Sequence, residues 1–516
     1  MSEPQQAAPP PPLHGAALAL MTAAVALGTF MEVLDTTIVN VSVPHIAGDL
    51  AASTTQGTWT ISSYGLAAAI AVPLTGWAAK RVGQVKLFVI SVLLFTLASV
   101  LCGFAHTLPE LVAFRFMQGL VSGPMVPLSQ TLLLANYPNA KKGLALALWS
   151  MTVVVAPICG PLLGGWITDN YSWPWIFYIN VPVGLFAAAV SWRLLKHRET
   201  ATAKEPIDVV GMVLLVVGVG ALQVMLDTGN EHDWFNSGFI ITLAMLAAVA
   251  LTFLVAWELT DDHPIVDLSL FKSRNFLWGV VSLSLGMFCF FGSTVIFPLW
   301  LQTVKGYTAT WAGVATAPVG VLAFFMSPLI GRNIHRINLR MLTSFAFMMF
   351  GITMFWYASF TLDTDLQHLM VARLVQGIGI ACFFIPLNQI ILSGIGPERM
   401  AAASGLSNFF RTLSGSFATA IVTYIWTKRE IFHHARLTEN INSASQATTS
   451  YLGQLDQLGI RGTAAYAQID QTITQQAFQT ATSEVFWMMG VIFIAMIAVV
   501  WLTRPPFGTS GGAGGH

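Results

Sequence analysis

The chain has 516 residues, of which 55% are apolar and only 9% charged, and its formal net charge is zero. Apolar runs of membrane-spanning length recur along almost all of it, which excludes a soluble protein, and the lack of any basic excess leaves no electrostatic case for nucleic acid. Its four cysteines (Cys102, Cys159, Cys289, Cys382) lie inside apolar runs without CxxC or Cys/His ligand spacing, so neither disulfides nor zinc are expected.

In chain order, Met1 to Leu13 is polar and proline-rich, without the basic start and cleavage site of a signal peptide, so the first span is expected to stay uncleaved. Segments of about 20 apolar residues between polar or Gly/Pro breaks then number fourteen. They fall near 16–40, 57–79, 85–105, 109–134, 143–168, 174–196, 207–226, 237–257, 275–301, 309–333, 339–359, 366–394, 402–426 and 482–503. The connections after even-numbered spans hold Lys80, Arg81, Lys141, Lys142, Arg198, Lys272, Arg336 and Arg399, whereas the short ones after odd-numbered spans hold only Lys305. Basic residues stay on the cytoplasmic side, so both termini are expected inside; a thirteen-span count would move only the C-terminus and Arg504 outside. The one long external segment is then 427–481, too long for a turn and too polar to span, with Leu452, Leu455 and Leu458 suggesting short amphipathic helices.

An internal repeat is visible in the sequence. Arg115-x-x-Gln118-Gly119 returns as Arg373-x-x-Gln376-Gly377, Pro127-Leu128-Ser129-Gln130 as Pro386-Leu387-Asn388-Gln389, and Pro73-x-x-Gly76 as Pro328-x-x-Gly331, at offsets of 255 to 259 residues. A six-span unit is therefore duplicated, with spans seven and eight inserted between the copies. Two bundles closing around a midplane site are expected.

The charges inside the spans carry the chemistry. A charged side chain at mid-membrane costs about 2.5–3.5 kcal/mol on insertion scales, so an acid kept there is a functional candidate. Glu32 and Asp35 stand at i and i+3 on one face of span one. Arg115 lies in span four at a depth similar to Asp35, so the two can meet, with Arg115 holding Asp35 in its charged form in one state and Glu32 serving as relay or second site. A static tie between helices is the plainer role for the same pair. In the second half the region matching Asp35 reads Cys289-Phe290-Phe291-Gly292-Ser293-Thr294, with no acid, so proton carrying is expected only in the first half. Arg373 and Arg411 lack a carboxylate in their spans and either bond backbone carbonyls or face an anionic substrate; with Asn40 and Asn408 they are the candidate cavity residues.

These residues resemble the major facilitator superfamily, and within it the fourteen-span drug/proton antiporters of the EmrB type. Leu34-Asp35-x-Thr37-Ile38-Val39-Asn40-Val41-Ser42-Val43-Pro44 is similar to the first-span signature, and Leu111-x-x-x-Arg115-x-x-Gln118-Gly119 to the fourth-span motif whose arginine is tied to proton coupling. Gly160-Pro161-Leu162-Leu163-Gly164-Gly165 resembles the fifth-span antiporter motif, with Ala156 where its leading glycine would be, and the run from Trp173 to Gly184 is also characteristic. The resemblance implies an all-α polytopic membrane protein of the major facilitator fold, with two six-helix bundles plus two inserted helices. It implies Asp35, Glu32, Arg115 and Gln118 as the proton-coupling set, and Gly76, Arg81, Gly83, Pro157, Gly160, Pro161, Gly164 and Gly165 as gating elements. In the loop motif from Gly76 to Gly83, Lys80 stands where an aspartate is usual, and Gln84 and Val85 replace basic residues.

The expected units are a disordered cytoplasmic tail (1–13), an N-terminal bundle (14–200), two inserted helices (201–262), a C-terminal bundle (263–505) containing the 427–481 periplasmic loop, and a flexible Gly-rich tail (506–516). The implied activity is proton-coupled export of lipophilic drugs and toxic small molecules across a bacterial inner membrane, driven by the proton motive force with no cofactor. The implied partners are a periplasmic adaptor of the EmrA kind and an outer-membrane channel of the TolC kind; packing of the 427–481 segment on itself is an equal alternative. Export of one endogenous metabolite or siderophore is the rival within transporters. An ATP-driven pump is disfavoured by the lack of a G-x-x-x-x-G-K-[ST] loop, and a membrane enzyme or sensor by the lack of an H-E-x-x-H pair or a soluble domain.

Overall fold

With no water in the hydrocarbon to bond its backbone, a chain this apolar satisfies its N–H and C=O groups internally, as helix. The computed structural model describes residues 13–138, 142–202, 208–229, 231–261, 266–396, 399–439, 441–442 and 445–507. The two expected tails, 1–13 and 506–516, lie almost wholly outside these residues.

In the first bundle, α1 (Gly15–Ile38) continues through a 3-10 turn (Val39–Val41) to α2 (Val43–Asp49). Next come α3 (Thr54–Gly57), α4 (Trp59–Val82), α5 (Gln84–Gly103), α6 (Leu108–Ser122), α7 (Met125–Asn136), α8 (Lys142–Asn170), α9 (Trp175–Tyr178) and α10 (Asn180–Leu195). The inserted pair is α11 (Val209–Thr228) and α12 (Gly238–Glu258). The second bundle holds α13 (Arg274–Thr303), α14 (Ala309–Thr316), α15 (Val319–Asn333), α16 (Leu339–Ala358), α17 (Leu366–Leu392), α18 (Met400–Thr438), α19 (Gln446–Gln457) and α20 (Thr463–Val500). Helices start where the sequence supplies caps. Thr107 and Glu110 form a capping box at α6, and Asp208 accepts from Gly211 N at 2.8 Å to start α11.

Among the described residues twelve helices are long and apolar enough to cross a membrane. With α8 (29 residues) and α18 (39 residues) they form fourteen rods at the expected positions. The apolar face of α18 is interrupted by Arg411 and a run of hydroxyl residues. The duplication holds at the level of packing: a Cβ on Gly119 would stand 2.3 Å from the carbonyl oxygen of Tyr64, and one on Gly377 2.4 Å from that of Val319, its counterpart one repeat later. Glycine at both places lets the paired helices touch backbone to backbone. One apolar core, built on Phe88, Phe95 and Leu132, lies within the first bundle; a larger one, around Phe347, Phe383 and Phe493, runs from the second bundle through the inserted helices to Ile38, Leu66 and Phe177 of the first. Helix α12 turns Phe239, Met245, Val249 and Phe253 outward, as a lipid-facing helix does.

The bundle has two ends: a terminal pole, where α1 begins and α20 finishes, and a loop pole, where the 427–481 connection lies. That connection is mostly helical. At 1.5 Å per residue, α20 with its 38 residues is roughly 57 Å long, well beyond a bilayer's hydrocarbon, so α18 and α20 project past the loop pole with α19 between them. The projection is pinned at its base by Arg429 Nη2 donating to Glu484 Oε1 at 2.7 Å, by His433 against Glu484 at 3.0 Å, and farther out by His434 against Asp470 at 3.1 Å.

Candidate functional site

Asp35 sits on α1 where that helix meets α6 and α10, and it is fully buried. Arg115 of α6 is likewise buried and donates through Nη1 to Asp35 Oδ2. Two neutral side chains complete the carboxylate: Gln118 Nε2 donates to Oδ1 at 3.1 Å and Asn180 Nδ2, from α10, at 2.9 Å. Arg115 also donates to Gln118 Oε1 at 2.7 Å and, through Nε, to the Thr60 carbonyl of α4 at 3.0 Å. The rings of Tyr64 and Phe177 face its guanidinium at 4.2 and 5.6 Å. Asn180 is held in turn by Ser99, which it meets at 2.9 Å. A buried ion pair loses several kcal/mol per ion in desolvation, and only a full set of partners offsets that. Here four helices supply the set, so a proton on Asp35 would leave Arg115 with a charge and no counterion. A local protonation is thereby tied to helix packing.

Glu32, one turn toward the terminal pole, stands apart from this network. It is half-buried and its Oε2 has no hydrogen-bond partner. The cation acting on it is Arg411 of α18, in the other bundle, and Glu32 is in turn the anion acting on Arg411. The two attract across the space between the bundles without forming a direct ion pair. Asn408, one turn before Arg411, is half-buried and donates to the Ser404 carbonyl at 3.0 Å.

Arg373 lies elsewhere. It is buried inside the second bundle, donating to Gln376 Oε1 at 2.8 Å, with Phe297 at 3.8 Å beneath its guanidinium. Its Nη2 reaches the Ser293 carbonyl at 3.5 Å, so a backbone oxygen occupies the place that Asp35 holds in the first half. Asn40, in the turn after α1, is buried at the loop-pole seam with Oδ1 unbonded. Trp300 is buried and donates through Nε1 to Gln479 at 2.8 Å, and Trp311 is more than half exposed.

The seam between the bundles is closed at the loop pole. Among the described residues, hydrogen bonds crossing this seam lie in that half: Gln302 Nε2 to the Val41 carbonyl (2.8 Å), Ala309 N and Thr310 N to Asp169 (3.2 and 2.7 Å), Thr55 with Thr427 (3.3 Å) and Ser416 Oγ to the Ser62 carbonyl (2.7 Å). Of the α8 glycines, Gly165 meets the seam: a Cβ there would stand 2.2 Å from the Ala309 carbonyl of the opposite bundle. Gly160 and Gly164 instead let α8 approach α1 of its own bundle, where a Cβ would stand 2.1 Å from Thr37 Oγ1 and 2.5 Å from the Ile38 carbonyl, respectively. Pro157 and Pro161 sit within an unbroken α8, and the Pro161 carbonyl meets the bare face of Gly313.

The residues expected to gate the other pole are arranged differently. Gly83 adopts φ 98°, a turn that favours glycine, and the Glu199 side chain fills the space beside it. Glu199 accepts from the backbone N–H groups of Val85 and Lys86, both at 2.9 Å, so the carboxylate on this turn comes from the end of the first bundle. Arg81 lies over Trp77 at 5.5 Å, and Gly76 has open space where a side chain would stand.

Sequence reasoning missed Asn180, Thr60, Tyr64 and Glu199. Asn180 alone left a signal, as an amide inside the apolar run from Trp173 to Gly184.

A buried acid–arginine pair in the first of two duplicated six-helix bundles is matched by what the chain resembles in full. The family model of the Major Facilitator Superfamily matches residues 25–419. The chain belongs to that superfamily. Within it, the chain is 53% identical over 505 residues to the multidrug export protein EmrB of Escherichia coli, covering 98% of this chain and 99% of that one. It is 51% identical over 506 residues to the fatty acid resistance protein FarB of Neisseria gonorrhoeae, at 98% and 99% coverage. This superfamily member is therefore an EmrB-type transporter and not an enzyme. Solved structures share its fold at low identity: a D-xylose–proton symporter (TM-score 0.61, 15% identical, 96% of this chain and 100% of that one) and a POT family transporter, PepTSo (0.63, 14%, 96% and 100%).

Proposed function

We propose that the chain is a proton-coupled antiporter that exports lipophilic drugs and toxic small molecules across the bacterial inner membrane by alternating access. The observation that carries this reading is the Asp35–Arg115–Gln118–Asn180 cluster, a titratable group whose charge is balanced by packing between helices. The names of the EmrB relatives supply the cargo class. The basic loops gather at the terminal pole, which supports a cytoplasmic placement of the pole where α1 begins and α20 finishes, and a periplasmic loop pole. The structure then corresponds to a state sealed from the periplasm, with Asp35 unprotonated and paired. Substrate enters from the cytoplasm; the bundles rock; a periplasmic proton on Asp35 frees Arg115 and accompanies substrate release; the return delivers that proton inside. The proton motive force supplies the energy: one proton moving through about 100 mV releases about 2.3 kcal/mol. The purified transporter in proteoliposomes with an internal pH dye tests this. Lipophilic cargo should evoke proton flux; silence across a broad panel would contradict antiport.

A second reading of the cargo is favoured by Arg411 and by the fatty acid resistance of one relative: the cavity also accepts amphiphiles bearing a carboxylate. Glu32 and Arg411 then act as opposite selectors. Removing one charge from a partly desolvated cavity shifts a ligand charge's affinity by about tenfold. Glu32→Gln is expected to weaken a cationic amphiphile and strengthen an anionic one, and Arg411→Gln to do the reverse. Equilibrium binding of one probe of each sign checks this; changes of the same sign for both probes would refute it.

The projecting α18–α20 segment exposes Ile431, Phe432, Leu458 and Tyr466, which suits an adaptor of the EmrA kind leading to a channel of the TolC kind. Phe432→Glu with Leu458→Glu should abolish adaptor capture while vesicle transport persists; capture at unchanged strength would remove the assignment.

A further inference from the structure

The inserted helices are absent from the two-bundle scheme that explains coupling, yet α11 is bonded to both bundles. On the side of the first bundle, Ser62 Oγ donates to Asp227 Oδ2 at 2.9 Å and Trp59 Nε1 to the Asp227 carbonyl at 3.1 Å. On the side of the second, the single Ser416 hydroxyl proton is shared between Gln223 Oε1 at 3.0 Å and the Ser62 carbonyl at 2.7 Å, and the Trp234 ring beyond the end of α11 packs on Tyr424 at 4.7 Å. The two sides are joined within α11, where Gln223 Nε2 donates to Asp227 Oδ1 at 3.1 Å. All of this lies over the contact between α4 and α18, where Ser416 Oγ also reaches the Ser62 carbonyl and a Cβ on Gly65 would stand 3.2 Å from that of Ser416.

This arrangement is more than a docking surface for two extra helices. To open the loop pole, α4 and α18 must part. Because α11 holds Ser62 with one residue and Ser416 with another, it must release at least one of them. Ser62, Gln223 and Ser416 are buried in the closed arrangement, so these bonds count toward that state.

We propose that the inserted pair is a clamp on the loop-pole seam, with Gln223 and Asp227 as its pins, setting the balance between the two access states. The inference rests on the alternating-access reading above. Gln223 and Asp227 are positioning residues, since they touch neither cargo nor the Asp35 cluster.

The test measures spin-label distances across the seam in the full-length transporter in nanodiscs. Native cysteines are replaced by serine, and labels are placed by His106→Cys in the first bundle and Lys428→Cys in the second, both exposed at the loop pole. Unsubstituted protein should show a short and a long distance whose ratio responds to cargo. Gln223→Leu and Ser416→Ala should each raise the long-to-short ratio by about threefold, the typical worth of one side-chain hydrogen bond in a membrane bundle, and Asp227→Leu by more. Val224→Ala, on the lipid-facing side of α11, should leave it unchanged. The single lost hydroxyl of Ser416→Ala keeps the test valid if Asp227→Leu fails to fold. An unaltered ratio in both Gln223→Leu and Ser416→Ala would overturn the clamp. A single distance in the unsubstituted protein under every condition would instead overturn the alternating-access reading beneath it.

Discussion

Asp35→Asn is expected to abolish cargo-driven proton flux while cargo still binds. Asparagine keeps the shape of the carboxylate and can still accept from Asn180 or Gln118, but it cannot balance Arg115. Breaking a buried pair by removing one partner typically costs about 3–5 kcal/mol, so the variant should also lose thermal stability. Replacing Arg115 as well, by glutamine, should recover part of that stability and none of the flux. The two readouts therefore separate a coupling role from a structural tie. If the pair were only a tie, the double variant would regain both. Flux undiminished in Asp35→Asn would move the proton site to Glu32, the one other carboxylate on the same helix face.

The second large effect is expected at Gly313, a glycine on the seam. A Cβ there would stand 2.1 Å from the Pro161 carbonyl of the opposite bundle, a backbone atom with no rotamer by which to withdraw. Overpacking of this kind costs typically about 1–3 kcal/mol, and the cost falls only on the state in which α8 and α14 touch. Gly313→Val should therefore shift the access equilibrium toward an open loop pole by about 5- to 150-fold. Transport should fall accordingly while the folded transporter remains. Accessibility of a cysteine placed in the seam to a membrane-impermeant reagent added from the loop-pole side checks this, and unaltered labelling with unaltered transport would contradict the closure described here. Gly306, whose surroundings are open, offers a control in which only its own φ of 71° is disturbed.

Much of this architecture is legible in the sequence because a bilayer imposes one strong rule. Apolar runs near 20 residues must be helices, so fourteen rods were readable from segment lengths alone. The pairing of Asp35 with Arg115 was readable for a similar reason: two charges too costly to leave alone, at matching depths, have few places to go. Asn180 was not, since an amide in an apolar run can bond many partners and only the packing of α10 against α1 selects Asp35. Nor was the facing of Glu32 and Arg411, which depends on how two bundles meet rather than on either helix. Arg373 shows the converse. Its motif equals that of Arg115, yet with no acid on α13 it is absorbed into an aromatic core over Phe297. The helical extensions of α18 and α20 escaped notice because their exposed length is polar, and polarity reads as loop when nothing in the sequence shows what it packs against.

In the proposed antiport cycle, cargo and proton compete through Asp35. Binding linkage is reciprocal, so in the cytoplasm-facing state cargo must expel a proton if a proton expels cargo. Titrating a saturating lipophilic cargo into the purified transporter in lightly buffered nanodiscs, with a pH dye in solution, measures that proton directly. The unsubstituted protein is expected to release up to one proton per cargo bound, in an amount that passes through a maximum as pH is varied, and Asp35→Asn none. No release at any pH, or equal release from Asp35→Asn, would contradict this competition.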